Sequence, residues 1–560
     1  YRNRGWCVLE IFASFMSRYK QYPILCITSK EGIPEWVSPL EIHNLAVGTS
    51  DFTCCQRNHI FGHRVVPCDR GITRAILENM IKAKAVHLFK LEQTLRARLC
   101  VCYTNWWLRT ESTPAESCSG SLALFQKLLR WDKKNDDWKD QNGVSMLIYA
   151  VICNDSNIVR SLLNSKNCTS KSLNTPTFVQ GGIVEFGIAA KTPILNFAMY
   201  FGSAQVVEML LNCGACPDVS DQNGMDPMMF ACVPGRVENI KYWLARFPRW
   251  NVNRGNMVNG ATALHCSVYF GCNKLKTVRV LVETGRASLN VLNHGGASVL
   301  SNAVDSTDSN IDVVRYLLTK SLRYGVNHRR KARTVKWKLI YGLVRGLFRS
   351  GVATSGLFAE LACDSGSTPL QYAVCRGDLE IVELMMMHGA DPFIKNDLGR
   401  GAVSYCEAFP EIKYAIERVK RENKRVQQND DDKKSSKSSL KSGLISNVKS
   451  HAQSAAPTTD MSSSGFTLQR RLSTATDIKY DMYLISLSTM VNLFGTSSDS
   501  KKNSHLCHQD LLEEGKLTRF EDLPMGSFVM FVSHQWTSFD HPDPNGVHMN
   551  CMLSIFCQLR

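Results

Sequence analysis

Between about residues 140 and 406 the apolar positions recur at helical rather than strand spacing. Val206, Val207, Leu210 and Leu211, then Val278, Leu281 and Val282, then Val313, Val314, Leu317 and Leu318 each lay one apolar stripe along a helix. One such stripe has nothing of its own to pack against, so neighbouring copies must stack to bury it. Asn142-Gly143, Asn223-Gly224 and Asn259-Gly260 supply the left-handed backbone of tight turns before the first helix of each unit. Pro193, Pro227 and Pro369 suit a first helical turn, where a missing N–H costs nothing. Gly214, Gly285 and Gly389 stand where second helices should end. The pattern predicts a tandem array of helix-turn-helix units.

The period supports this. Ser145, Thr192, Asp226, Thr262, Ser298, Thr368 and Ala402 occupy one equivalent position, at separations of 47, 34, 36, 36, 70 and 34 residues. Because 70 is twice 35, the spacing predicts one degenerate unit hidden near Thr334. The clearest copies run from Lys191-Thr192-Pro193-Ile194 to Gly214-Ala215-Cys216-Pro217-Asp218 and from Gly366-Ser367-Thr368-Pro369-Leu370 to Gly389-Ala390-Asp391-Pro392. They resemble the ankyrin family, whose repeat opens Gly-x-Thr-Pro-Leu-His-x-Ala and closes Leu-Leu-x-x-Gly-Ala-Asp. The resemblance implies a mainly α, non-catalytic solenoid over residues 120–410 that binds a protein partner on its concave face of turn tips and first helices. It also assigns His265 to hydrogen bonds between adjacent turns rather than to catalysis.

The two ends read differently. Gly526 to Val532 is a short apolar run that delivers Ser533, His534, Gln535 and Trp536 to a loop, as a buried strand of an open α/β sheet would. Residues 1–19 read as one helix containing Trp6-Cys7-Val8-Leu9-Glu10. Ser-His-Gln-Trp and Trp-Cys-x-x-Glu are similar to parts of the TIR family, although plant-type members carry Ser-Phe-Arg-Gly at the first of these. The resemblance implies partial α/β modules at 1–110 and 480–560, and a chain that is a window from a longer alternating array. It further implies a role in signalling or, alternatively, cleavage of NAD at the nicotinamide–ribose bond, with Glu10 as the catalytic carboxylate beside Trp6. A Ser533/His534 hydrolase pair is disfavoured, because adjacent strand residues point to opposite faces.

Composition narrows the class. The chain has 560 residues, 44% hydrophobic and 21% charged, which suits several globular cores. No apolar run reaches membrane-spanning length, no secretory leader is readable, and the 21 cysteines are scattered, so reduced thiols in the cytoplasm are expected. The net charge of +16 is concentrated in residues 313–359, which hold eleven Lys and Arg residues, and in 412–450. In 336–349, Trp337, Ile340, Tyr341, Val344 and Phe348 lie at helical spacing among cations. That pattern fits a calmodulin target or an acidic-membrane helix, and the plainer alternative is the core side of the degenerate repeat. Nucleic acid ranks last as a partner, since the chain lacks the aromatic and glycine grammar of an RNA-binding fold.

Two further features carry chemistry. Cys54, Cys55, His59, His63 and Cys68 place five possible zinc ligands within fifteen residues, without a Cys-x-x-Cys knuckle. Residues 72–100 follow as a helical bridge. From 422 to 477 the chain is rich in Ser, Lys, Gln, Asn and Asp, the composition of a disordered tether. Within it, Arg470-Arg471-Leu472-Ser473 makes Ser473 a candidate for a basophilic kinase.

Overall fold

In the computed structural model the apolar stripes are buried as stacked helix pairs. It describes residues 5–17, 24–26, 35–37, positions between 42 and 65, 68–109, 121–131, 139–306 except 167, 179–180 and 272, 309–352, 361–419, 421, 483–485 and 515–519. The chain divides into two units, Tyr1–Val419 and Lys420–Arg560. In the second, β5 (Tyr483–Ile485) pairs antiparallel with β6 (Leu517–Arg519). Ser473, Ser533 and His534 lie outside the described residues, as do residues 422–477, expected to be a tether, and most of 480–560.

The first unit begins with α1 (Gly5–Met16) and two small antiparallel pairs, β1 (Ile24–Cys26) with β2 (Glu35–Val37) and β3 (Ile60–Phe61) with β4 (Arg64–Val65). A short α2 (Thr53–Gln56) lies between them in sequence. A parallel sheet of the kind the TIR resemblance implies is not found among the described residues. The long α3 (Asp69–Lys90) and α4 (Thr94–Leu108) pack on each other, and α1 packs on α3. After α5 (Leu122–Leu128) the inner helices follow: α6 (Met146–Cys153), α9 (Ile194–Phe201), α11 (Pro227–Cys232), α13 (Ala263–Phe270), α15 (Val299–Asp305) and α18 (Pro369–Cys375). Their outer partners are α7 (Ser156–Leu163), α10 (Ala204–Asn212), α12 (Val237–Arg246), α14 (Lys274–Arg279), α16 (Ile311–Leu318) and α19 (Leu379–Met387). A 3-10 segment, Ala402–Ala408, and a helix over 410–419 close the stack. No helix among the described residues is long and apolar enough to cross a membrane.

Each stripe is buried as its spacing predicts: Val206, Val207 and Leu210 have no exposed surface, nor do Val314 and Leu317. A left-handed residue stands two positions before each inner-helix cap, glycine at Gly143, Gly224, Gly260, Gly296, Gly366 and Gly399, and Lys191 (φ 57°) before Pro193. Gly214 and Gly389 take the same conformation after outer helices, but Gly285 does not (φ −78°). There a π-helical turn, Val280–Thr284, adds a residue and passes the left-handed position to Arg286 (φ 55°).

α4 is more than a bridge: it packs on α6 as one more inner helix and caps the stack. Buried Arg98 joins them, donating to the carbonyls of Leu129 (2.9 Å) and Arg130 (3.1 Å) and pairing with Asp140 (3.0 Å) in the first turn. The long 47-residue spacing is an insertion used to hold this cap. It contains α8 (Ser170–Asn174) and a loop that sends Phe186 into a cluster with Phe15, His43, Tyr103 and Trp107. The Trp107 indole donates to His43 Nδ1 (3.1 Å), so the Nε2 proton goes to the Glu185 carbonyl (2.8 Å).

Burial holds His43 and His265 neutral, each pulled down to about 4 from an ordinary 6.5. The unfolded chain therefore binds more protons between those values, and stability is complete above pH 6.5 and falls as the pH drops toward 4. The loss should be on the order of 3 kcal/mol per histidine. Urea midpoints at pH 7.5, 5.5 and 4.5 measure it. His265→Gln, which copies Gln371 at the equivalent site, should remove a share of the slope while keeping the cap.

Candidate functional site

The turns before the inner helices form a hydrogen-bonded ladder along one side of the stack. Gln222 N donates to Ala190 O (3.1 Å), Met257 N to Asn223 O (2.8 Å) and His294 N to Asn259 O (2.6 Å). Asp140, Asp221, Asn256, Asn293 and Asn396 anchor their turns by accepting from turn amides; Asp221, for example, accepts from Asn223 N (2.8 Å) and Met225 N (2.9 Å). Thr262 and His265 close a capping box, as Thr368 and Gln371 do in a later unit. Gln371 also donates to Ile394 O (3.1 Å) and Arg400 O (2.7 Å), tying its turn to the next.

At the 70-residue spacing the structure departs from the hidden repeat expected near Thr334. Thr334 does cap a helix, α17 (Val335–Arg349), but α15 and α16 pack directly on α18 and α19, and α17 stands outside both helix layers. What the interval adds is a second turn. Arg333 N donates to His294 O (2.8 Å), Arg330 N to Ser367 O (2.9 Å) and Gly366 N to Arg330 O (2.6 Å), so this strand is interleaved between two turns. Gly296 is required where it crosses, because a Cβ there would lie 1.9 Å from the Lys331 carbonyl oxygen.

α17 then lies across the turns. Tyr341 Oη donates to Gly295 O (3.3 Å), Arg345 reaches Asp397 (3.0 Å), and Arg349 donates to the Asp397 carbonyl (2.9 Å). Arg329 also pairs with Asp397 (3.1 Å). Arg330 is buried against Asp364 (2.8 Å) and Tyr372 Oη (3.0 Å), with Asp305 at 3.8 Å. The basic segment, which has no acid of its own, thus meets Asp305 at the end of α15 and the carboxylates Asp364 and Asp397 that follow it in the chain. Its inward face carries Tyr341 and Val344, and Val335, Leu339 and Leu343 form an exposed stripe on its outer side. The uncovered part of the ladder ends in Met257 and Val258, which are 73% and 50% exposed.

A family model for the ankyrin repeat matches residues 259–294 and 365–397. The solenoid is a stack of ankyrin repeats. Over 289 residues the chain is 23% identical to ankyrin repeat domain-containing protein M-T5 of Myxoma virus (strain Lausanne), covering 48% of this chain and 57% of that protein. The chain therefore spans little more than half of that relative. Among solved structures, the ankyrin repeat domain of Bcl-3, described as a unique member of the IkappaB protein family, covers 50% of this chain at 21% identity with a TM-score of 0.33.

The other sequence candidates are dispersed. Glu10 and Trp6 share the outward face of α1, and the Trp6 indole donates to Asp69 (3.1 Å). Cys54, Cys55, His59 and Cys68 converge, and His63 lies outside the described residues. Sequence reasoning missed Arg330, Asp364, Asp305 and Asp397, since their pairing spans long separations that no local pattern reports.

Arg330→Met should destabilise the stack by about 3–5 kcal/mol, because Asp364 would remain buried without its charge partner, while Asp305 keeps Arg376. Lys338→Met, on the exposed side of α17, should stay within about 0.5 kcal/mol. Urea unfolding of the two variants compares them.

Proposed function

We propose that this chain is a protein-interaction scaffold in signalling, and that it engages its partner over the ankyrin turns N-terminal to the docked helix. The observation that carries this is the Met257–Val258 pair, two apolar side chains held out at a turn tip beside Asn223. Methionine is enriched at interface cores, and a rigid turn presents it at little entropic cost. Turns at 293–297, 364–367 and 396–399 are already occupied by α17, which leaves the turns of 139–260 as the footprint. An ankyrin stack supplies shape and side chains there rather than chemistry, so binding is the activity it supports.

The test is affinity capture with the full chain, followed by reconstitution of the recovered partner with purified protein. Met257→Asp with Val258→Asp should weaken that complex at least about tenfold. Unchanged affinity sinks the turn-face assignment.

The exposed stripe Val335, Leu339 and Leu343, flanked by Lys336 and Lys338, supports acidic membrane or calmodulin as a second ligand. Calmodulin would have to lift α17 from the turns, because Tyr341 and Val344 face inward. An NAD-cleaving activity rests on Glu10 alone. Nicotinamide release by the chain that disappears in Glu10→Ala would support it, and no release from either form leaves the scaffold reading.

A further inference from the structure

We infer that Cys54, Cys55, His59 and Cys68 form a structural zinc site that staples the N-terminal block to α3. Four ligand atoms, one from each residue, all lie within 4.8 Å of one another. Cys55 Sγ is 3.5 Å from Cys68 Sγ and 3.5 Å from His59 Nε2. With Zn–S near 2.3 Å and Zn–N near 2.0–2.1 Å, tetrahedral edges are about 3.8 Å between sulfurs and about 3.5 Å between sulfur and nitrogen. The sulfur–nitrogen separation matches its edge, the Cys55–Cys68 separation is about 0.3 Å short of its edge, and the remaining pairs lie within 4.8 Å.

The local backbone is arranged to produce it. α2 presents Cys54 and Cys55, and the chain then folds straight back through two consecutive left-handed residues, Asn58 (φ 50°) and His59 (φ 61°). Such conformations cost free energy in residues with a Cβ and persist where the surroundings require them. Here they bring His59 N to the Cys54 carbonyl (2.6 Å) and its ring to the thiols. Cys68 sits at the N-cap of α3, yet its side chain makes no cap hydrogen bond and turns to the cluster instead. The first amide of that 22-residue helix, Asp69 N, donates to Cys54 Sγ (3.4 Å). Amide donors and a helix N-terminus both favour thiolate, the form zinc binds.

The block also needs a staple. Among its described residues between 24 and 65, regular structure amounts to strands of two or three residues and one helix of four. In so loop-rich a segment, the free energy of metal binding becomes free energy of folding. The three sulfurs lie within 4.8 Å of one another, and a zinc ion among them would hold them together as thiolates.

The experiment measures bound metal in the full chain, purified from zinc-supplemented medium and dialysed. Wild type and the control Cys213→Ser/Cys216→Ser, which changes two exposed thiols, should each retain one zinc per chain. Cys55→Ser/Cys68→Ser should retain almost none. If that variant does not fold, cobalt exchanged into wild type decides the matter: a tetrahedral spectrum with strong thiolate charge-transfer bands supports the site, and a weak octahedral spectrum overturns it. A folded, metal-free wild type overturns it too, as does a Cys55–Cys68 disulfide found by peptide mapping, or zinc retained equally by the double variant.

Discussion

The constraint on which this molecule depends is contiguity. An ankyrin repeat buries its apolar stripe only against its neighbours, so the stack tolerates no gap in either helix layer. The long interval between Ser298 and Thr368 therefore cannot be threaded through the layers unless it supplies a complete repeat. It does not; α15 meets α18 directly, and the intervening chain is carried outward over the turns. The extended segment Arg330–Arg333 keeps the hydrogen-bond ladder continuous across that exit.

Routing the interval this way sets its electrostatics. A segment with no acid in its own sequence would repel itself if packed together, and a guanidinium buried alone would be prohibitive. The stack provides the compensation: Asp364 and, from the end of α15, Asp305 for Arg330, and Asp397 for Arg329 and Arg345. Three of the segment's eleven cations, Arg329, Arg330 and Arg345, are thus paired within the fold, although the net charge of the chain is unchanged by that. The same docking divides the turn face, leaving its N-terminal part with Met257 and Val258 open and covering the rest with the chain's own helix.

The N-terminal block obeys the same logic at the other end. A solenoid must close its first apolar face, and α4 does so with Trp107, Tyr103 and Leu99 buried. The insertion behind the 47-residue spacing supplies Phe186 and the Glu185 carbonyl to complete that cap. Both irregular spacings are thus accounted for by what the inserted chain docks against.

By itself the sequence determined the repeat, its helix pairs, the turn glycines, the buried stripes and the Cys/His grouping. All of these rest on neighbours within a turn or a helical period, where spacing translates directly into a shared face. The structure alone decided that the second irregular spacing hides an extra turn and an outlying helix rather than a repeat, since 70 residues fit either arrangement. It also decided which charges pair, because Arg330 lies 34 residues from Asp364 and 25 from Asp305 in sequence and only packing brings them within reach. The left-handed fold-back at Asn58 and His59 belongs to the same class. Nothing in those residue types demands it, and it follows from the contacts that hold His59 against the thiols.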